Sequence, residues 1–169
     1  MLAGVSPNDV YVDTNVFVNA LIAGMDQSEI CFEAYEYLVV SDCNVYISHL
    51  TRLEFLEAIR ALAHKQSLPD SFREEFALSD WESFMVRQRW LQFWVAKFDE
   101  LLNTFYRVYE LPYRQRIWHQ APQVMALYTL RAYDAFHVAT ATSYGIPELW
   151  TTDADLSRNP GGIYVRLLR

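Results

Sequence analysis

Apolar positions along this chain switch between short β-type runs and recurrences of three and four, and those switches divide it into strands and helices. Val10-Tyr11-Val12 is a β-type run that stops abruptly at Asp13-Thr14-Asn15, and the apolar stretch Val16 to Ala23 reads as a helix. Ser28 opens a second helical pattern through Ile30, Phe32, Ala34, Tyr37 and Leu38. Asn44 to Ser48 is a second strand. Leu50 to Lys65 is an amphipathic helix with Leu53, Leu56, Ile59 and Ala63 on one side, closed by Pro69 and Asp70. Phe72 to Leu102 then reads as helical, and Thr104 to Leu111 alternates as a third strand stopped by Pro112. Helices are predicted from about Arg114 to Leu127 and from Tyr133 to Tyr144, the second ended by Gly145. Glu148 to Thr151 is a fourth strand, Asn159-Pro160-Gly161-Gly162 a turn, and Ile163 to Leu167 the last strand.

Short strands alternating with helices predict a three-layer α/β fold, with a mainly parallel central sheet flanked by helices. No repeat, low-complexity stretch or linker interrupts the pattern, so residues 1–169 are expected to form one domain. The segment at about 68–103 is an atypical helical, aromatic-rich insertion carrying Trp81, Trp90, Phe93, Trp94 and Phe98. Aromatic stripes at helical spacing usually pack, so these side chains are expected in the core or an interface, with stacking on RNA the alternative.

Composition alters this picture little. Apolar residues make up 52% of the 169 and charged residues 21%, an ordinary globular balance. Val16 to Met25 is interrupted by Asn19 and too short to cross a bilayer, so a soluble, cytoplasmic protein is expected. Cys31 and Cys43 have no metal-binding spacing and read as reduced packing residues. The net charge of −7 matters more. It excludes a protein that coats nucleic acid by its overall charge and leaves only local contacts, through a basic patch or a metal ion.

Four acids occupy similar positions in this pattern. Asp13 follows the first strand and Asp153 the fourth; Glu54 and Asp134 fall near the starts of helices that follow a strand or loop. In an open α/β sheet, ligands sit beyond the carboxyl ends of the strands, so these four are candidates for one site. Mg²⁺ or Mn²⁺, hard cations that take oxygen ligands, would satisfy such a cluster, whereas carboxylates alone would repel. Each acid also has a structural reading. Asp13 could cap the helix after it, Glu54 could form a Thr-x-x-Glu capping box with Thr51, Asp134 could complement a helix dipole, and Asp153 with Asp155 could shape an Asx turn.

The surroundings of these acids carry a resemblance. Tyr-Val-Asp-Thr-Asn (11–15), Ser-His-Leu-Thr-Arg-Leu-Glu (48–54), Tyr-Asp-Ala-Phe-His-Val-Ala-Thr-Ala (133–141) and Thr-Thr-Asp-Ala-Asp-Leu (151–156) resemble, in order, the PIN-domain family. They are most similar to the toxin ribonucleases (VapC-type) of bacterial toxin–antitoxin pairs. The match anchors both ends and leaves about 68–131 poorly covered. The resemblance implies a PIN-like fold and Mg²⁺- or Mn²⁺-dependent hydrolysis of RNA; the mechanism expected is attack by a metal-activated water at a site of one or two ions, leaving a 5′-phosphate and a 3′-hydroxyl. It implies Asp13, Glu54, Asp134 and Asp153 as catalytic, metal-binding acids, with Thr14, Asn15 and Thr151 in support; Asp155 is a separate candidate for an outer-shell acid or a late ligand. A homodimer and a cognate antitoxin protein are implied as well.

Secondary candidates are weaker. Arg107, Arg114 and Arg116 form the densest positive run and could hold an RNA backbone, or simply lie on a solvated helix face. His137, one turn after Asp134, reads better as a packed, hydrogen-bonded residue than as a ligand. A receiver-type domain is disfavoured, because Lys65 and Lys97 are the only lysines and neither lies late in the chain. An aspartyl-phosphate phosphatase is disfavoured because Asn15 stands where a second Asp is wanted, and no GxxxxGK segment marks a P-loop. The rival that survives is a PIN-like module that binds RNA or protein without cutting.

Overall fold

Two apolar layers follow directly from the alternation of side chains along the central strands. A computed structural model describes residues 9–22, 24–64, 68, 70–157 and 162–169. The strands are β1 (Asp9–Val12), β2 (Asn44–Ser48), β3 (Val108–Leu111), β4 (Glu148–Thr151) and β5 (Tyr164–Leu167). All pair in parallel, in the order β3-β2-β1-β4-β5. Val10, Val12, Val45, Ile47 and Trp150 point into one apolar cluster, and Tyr11 and Leu149 into another on the opposite face.

The helices that cover the first face are α1 (Thr14–Leu21), α2 (Ser28–Val40), α3 (His49–Leu62) and α5 (Phe84–Leu102). The second face is covered by α7 (Ala132–Tyr144), with α6 (Gln115–Tyr128) packed against it. Sheet and helices form the three layers that the sequence pattern implies. The Asn159-to-Gly162 turn falls outside the described residues except for Gly162, as do Ala23, Lys65 and Pro69 at the expected helix ends.

Three expectations need correcting. The helix expected over Phe72 to Leu102 is broken into α4 (Asp70–Glu75), a 3₁₀ turn at Leu78–Asp80 and α5. Ala77 adopts a left-handed φ of 51° at the break, with Phe76 and Leu78 buried in the core on either side of it. The third strand is only Val108–Leu111, because these are the residues that find partners on β2. On α3 the buried stripe is Thr51, Phe55, Ile59 and Leu62, while Leu53 is exposed.

The aromatic segment packs as expected. Trp90, Trp94, Phe98 and Leu102 repeat at i, i+4 along α5 and are buried against the sheet-facing cluster. Phe98 stacks on Phe55 of α3 with centroids 4.3 Å apart, and the Trp90 indole N–H donates to the Ile59 carbonyl at 2.8 Å. No described helix is long and apolar enough to cross a membrane.

Candidate metal centre

Parallel strands bring their carboxyl ends to one edge of the sheet, and β1 and β4 are neighbours there. Asp13 leaves β1 and its backbone N–H donates to the Trp150 carbonyl at 2.9 Å. Although Asp13 stands at the N-cap of α1, its side chain makes no capping hydrogen bond. Instead its carboxylate accepts from the Thr151 hydroxyl at 2.7 Å and from the Asn15 amide at 3.4 Å. Thr151 Oγ1 in turn accepts from the Asp153 N–H at 2.9 Å, so one hydroxyl ties the ends of both strands together. Asp153 does shape a turn, accepting from the Asp155 N–H at 2.7 Å.

Glu54 arrives from α3. The capping box at the start of that helix is formed by Ser48 and Thr51, not by Thr51 and Glu54. The helix begins earlier than expected, so Thr51 sits at N3 and Glu54 lies in the second turn, released from capping. Glu54 Oε2 accepts from the Thr14 hydroxyl at 2.7 Å and is hydrogen-bonded to His137 Nε2. The other ring nitrogen, Nδ1, lies 2.8 Å from the Tyr11 phenol oxygen, and Tyr11 donates to the Ser48 hydroxyl at 2.8 Å. His137 is fully buried and its Nε2 is 3.6 Å from Asp13 Oδ1.

Asp134 enters from the first turn of α7. Its Oδ2 is buried and has no hydrogen-bond partner among the described residues. Burial, followed by the charges of Asp153 and Asp13, pushes its carboxyl up to about 6 from the usual 3.8. Asp13 is also raised: burial outweighs the opposing pull of His137 and the Thr151 hydrogen bond. Glu54 is lowered, since the hydrogen bonds from His137 and Thr14 overcome a burial that would raise it. Burial works against a charged His137, yet Tyr11, Glu54 and Asp13 outweigh it and lift the ring well above its ordinary value.

These groups meet at a cleft of about 320 Å³ lined by Asp13, Thr14, Asn15, Leu50, Leu53, Glu54, Tyr133 and Asp134, with Glu57, Ala58 and Ala61 of α3. Ligand atoms of Asp13, Glu54 and His137 all lie within 4.8 Å of one another. Asp153 does not line the cleft, but its charge acts on Asp134 from close by. Mutually repelling carboxylates, one with an orphaned buried oxygen, are a donor set suited to a hard divalent cation.

The sequence-predicted arginines divide. Arg107 stands before β3, at the opposite sheet end from Asp13, pairs with Asp42 at 3.4 Å and does not share the site. Arg114 and Arg116 begin α6, beyond the carboxyl end of β3 and thus on the same edge as the acids; the Arg114 guanidinium lies 4.0 Å from the Tyr144 ring centroid. Sequence reasoning did not single out Tyr11 or Ser48; it read His137 as a packed, hydrogen-bonded residue rather than a ligand, and the structure places it so. The available signals were spacings: Tyr11 and Asp13 alternate on one side of an extended run, and Asp134 and His137 share a helix face.

Comparison with known proteins agrees with this geometry. A family model described as PIN domain matches residues 10–162. No curated protein matches the sequence. Among solved structures, FitAcB from Neisseria gonorrhoeae aligns with a TM-score of 0.58 at 17% identity, over 92% of this chain and 95% of that one. VapBC2 from Rickettsia felis, bound to a DNA fragment from its promoter, aligns with a TM-score of 0.57 at 11% identity, over 95% and 99%. VapC20 from Mycobacterium tuberculosis, a Sarcin-Ricin loop cleaving toxin, aligns with a TM-score of 0.55 at 14% identity, over 88% and 92%. At such identities the likeness is one of fold.

Proposed function

The chain belongs to the PIN-domain family, and from that premise we propose that it is a divalent-cation-dependent endoribonuclease, the toxin of a toxin–antitoxin pair. The observation that carries this reading is the Asp134 carboxyl, buried on one oxygen, unpartnered, and raised by burial and by the Asp153 and Asp13 charges. Acids that served only as caps or turn-formers would not be held in such conflict.

In this reading Asp13, Glu54, Asp134 and Asp153 hold one or two Mg²⁺ or Mn²⁺ ions. When bound, the cation would offset phosphoryl charge and lower the pKa of a bound water, the nucleophile of RNA hydrolysis. The protein's own part is positioning. Thr151 and Asn15 fix the Asp13 carboxylate, Thr14 fixes one oxygen of Glu54, and the Asp155 N–H fixes Asp153. Among the described residues the lining of the cleft contains no Lys, Arg or His. Arg114 and Arg116, on the same sheet edge, would grip the RNA backbone outside it.

The partner assignments rest on the same family premise. The Rickettsia and Neisseria structures cover this chain almost end to end, and the first is a complex with DNA. A cognate antitoxin is accordingly expected, and so is a homodimer. Leu53, Tyr113, Trp118 and Tyr133 are among the exposed apolar groups that could serve such contacts. The protein would work in the cytoplasm, where its RNA is.

The test is cleavage of RNA by the purified protein in Mg²⁺ or Mn²⁺, beside EDTA and an Asp13→Asn variant. Cleavage should require the cation and fall by several orders of magnitude in the variant, on the scale of electrostatic catalysis. RNA binding without cleavage in any cation would favour the non-cutting module. Cleavage that survives Asp13→Asn would overturn the assignment of the site.

A further inference from the structure

His137 has both of its ring nitrogens engaged and none of its surface exposed. It joins three elements: Tyr11 on β1, Glu54 on α3 and its own helix α7, which also carries Asp134. The hydrogen bonding constrains where its protons lie. If Tyr11 donates to Ser48, as the 2.8 Å contact reads, then the phenol oxygen accepts from Nδ1–H. Nε2 and the Glu54 carboxylate are then two acceptors unless one hydrogen sits between them. If Tyr11 donates to Nδ1 instead, the ring hydrogen is on Nε2. Either allocation puts one hydrogen between Nε2 and Glu54.

The consequence falls on Glu54. Its Oε2 is taken by Thr14 and His137 together, and Oε1 is left without a protein hydrogen bond among the described residues. We propose that His137 is a positioning residue: buttressed by Tyr11 and Ser48, it pins Glu54 Oε2 and thereby presents Oε1 to the cation. The role rests on the cation-binding reading above and goes beyond it, because His137 acts through Glu54 and contributes no ligand of its own. Groups that orient a ligating carboxylate in this way typically change metal affinity about 10–100-fold when removed.

The experiment is Mn²⁺ binding to the full chain, followed by calorimetry and by the electron paramagnetic resonance signal of free Mn²⁺, with circular dichroism in EDTA to check folding. His137→Leu fills the site but donates nothing; His137→Gln puts an amide N–H near the place of Nε2. Leu is expected to weaken Mn²⁺ about 10–100-fold, and Gln to restore most of that loss. A folded Leu variant with wild-type affinity, or a Gln variant no better than Leu, overturns the proposal. Should the Leu variant fail to fold, Tyr11→Phe decides: it keeps the imidazole and removes only the buttress on Nδ1. Weaker Mn²⁺ binding by Tyr11→Phe supports the role, and unchanged binding overturns it. Asp13→Asn separates the two levels of the argument. A Mn²⁺ site lost in Asp13→Asn but indifferent to these variants sinks the role of His137 alone, whereas a wild-type protein with no such site sinks the metal reading itself.

Discussion

Replacing Asp134 by Asn should make the cation-free protein more stable while weakening its response to divalent cations. Burial and the neighbouring charges of Asp153 and Asp13 raise this carboxyl from 3.8 to about 6. At 1.36 kcal/mol per unit the full shift corresponds to about 3 kcal/mol. The side chain is only half-buried, and solvent screening reduces the usable part to roughly 1 kcal/mol. Asn keeps the shape of the group and removes the charge that Asp13, Glu54 and Asp153 oppose. The folded-state pKa lies above the ordinary one, so folding penalises the ionised form. The penalty is complete above pH 6, fades as the pH falls through 6, and is gone below 3.8.

Urea unfolding in EDTA provides the assay. Near neutral pH the variant should be the more stable by roughly 1 kcal/mol, equivalent to about 2–4 °C in Tm for a chain of this size. Near pH 4 the two proteins should converge. With Mn²⁺ at a hundred times its Kd, the wild type should gain about 2.7 kcal/mol by linkage, and the variant should gain much less. Two results would refute the reasoning: a variant less stable than wild type in EDTA at neutral pH, or an advantage that persists unchanged at pH 4.

Two further substitutions probe other parts of the structure. Trp90→Ala empties a fully buried site on α5 and leaves the Ile59 carbonyl without its indole donor; it should cost about 3–5 kcal/mol in denaturant unfolding. Thr151→Val keeps the shape of a buried side chain but removes the hydroxyl that donates to Asp13 and accepts from the Asp153 N–H. Unfolding in EDTA should show a loss of about 1–3 kcal/mol, and Mn²⁺ titration should show weaker binding, because both strand-end acids lose a support.

How much of this was legible in the sequence depends on what determines each feature. The bounds of β2 and β4, Asn44–Ser48 and Glu148–Thr151, follow from the apolar pattern alone and stand as expected. The end of α7 is marked by Gly145, whose φ of 70° few other residues adopt readily. Ala77 takes up a similar left-handed conformation without any glycine or proline to announce it, so the break before α5 could not be read locally. Packing of Phe76 and Leu78 decides that break, and packing is a property of the folded chain. The extent of β3 likewise depends on where β2 offers partners. Asp13 and Asp153 were legible as strand-end acids. The company kept by Glu54 was not, since Thr51 seemed to claim it for a capping box and its partner His137 lies 83 residues away.

Two of the site's acids are each held by a short side chain from another element, Asp13 by Thr151 and Glu54 by Thr14, with His137 bridging toward both. Ion pairing with one imidazole can offset one carboxylate, and Glu54 is the one lowered by it. Asp13 and Asp134 remain raised, and the orphaned oxygen of Asp134 remains unmet. Folding alone therefore leaves negative charge in conflict at this edge, which a divalent cation would offset. For stability alone a neutral residue would serve better at position 134, since Ala135 and Val138, not Asp134, belong to the buried apolar cluster. Retaining the acid makes sense if binding energy from a cation is recovered there, and the Asp134→Asn variant asks whether it is.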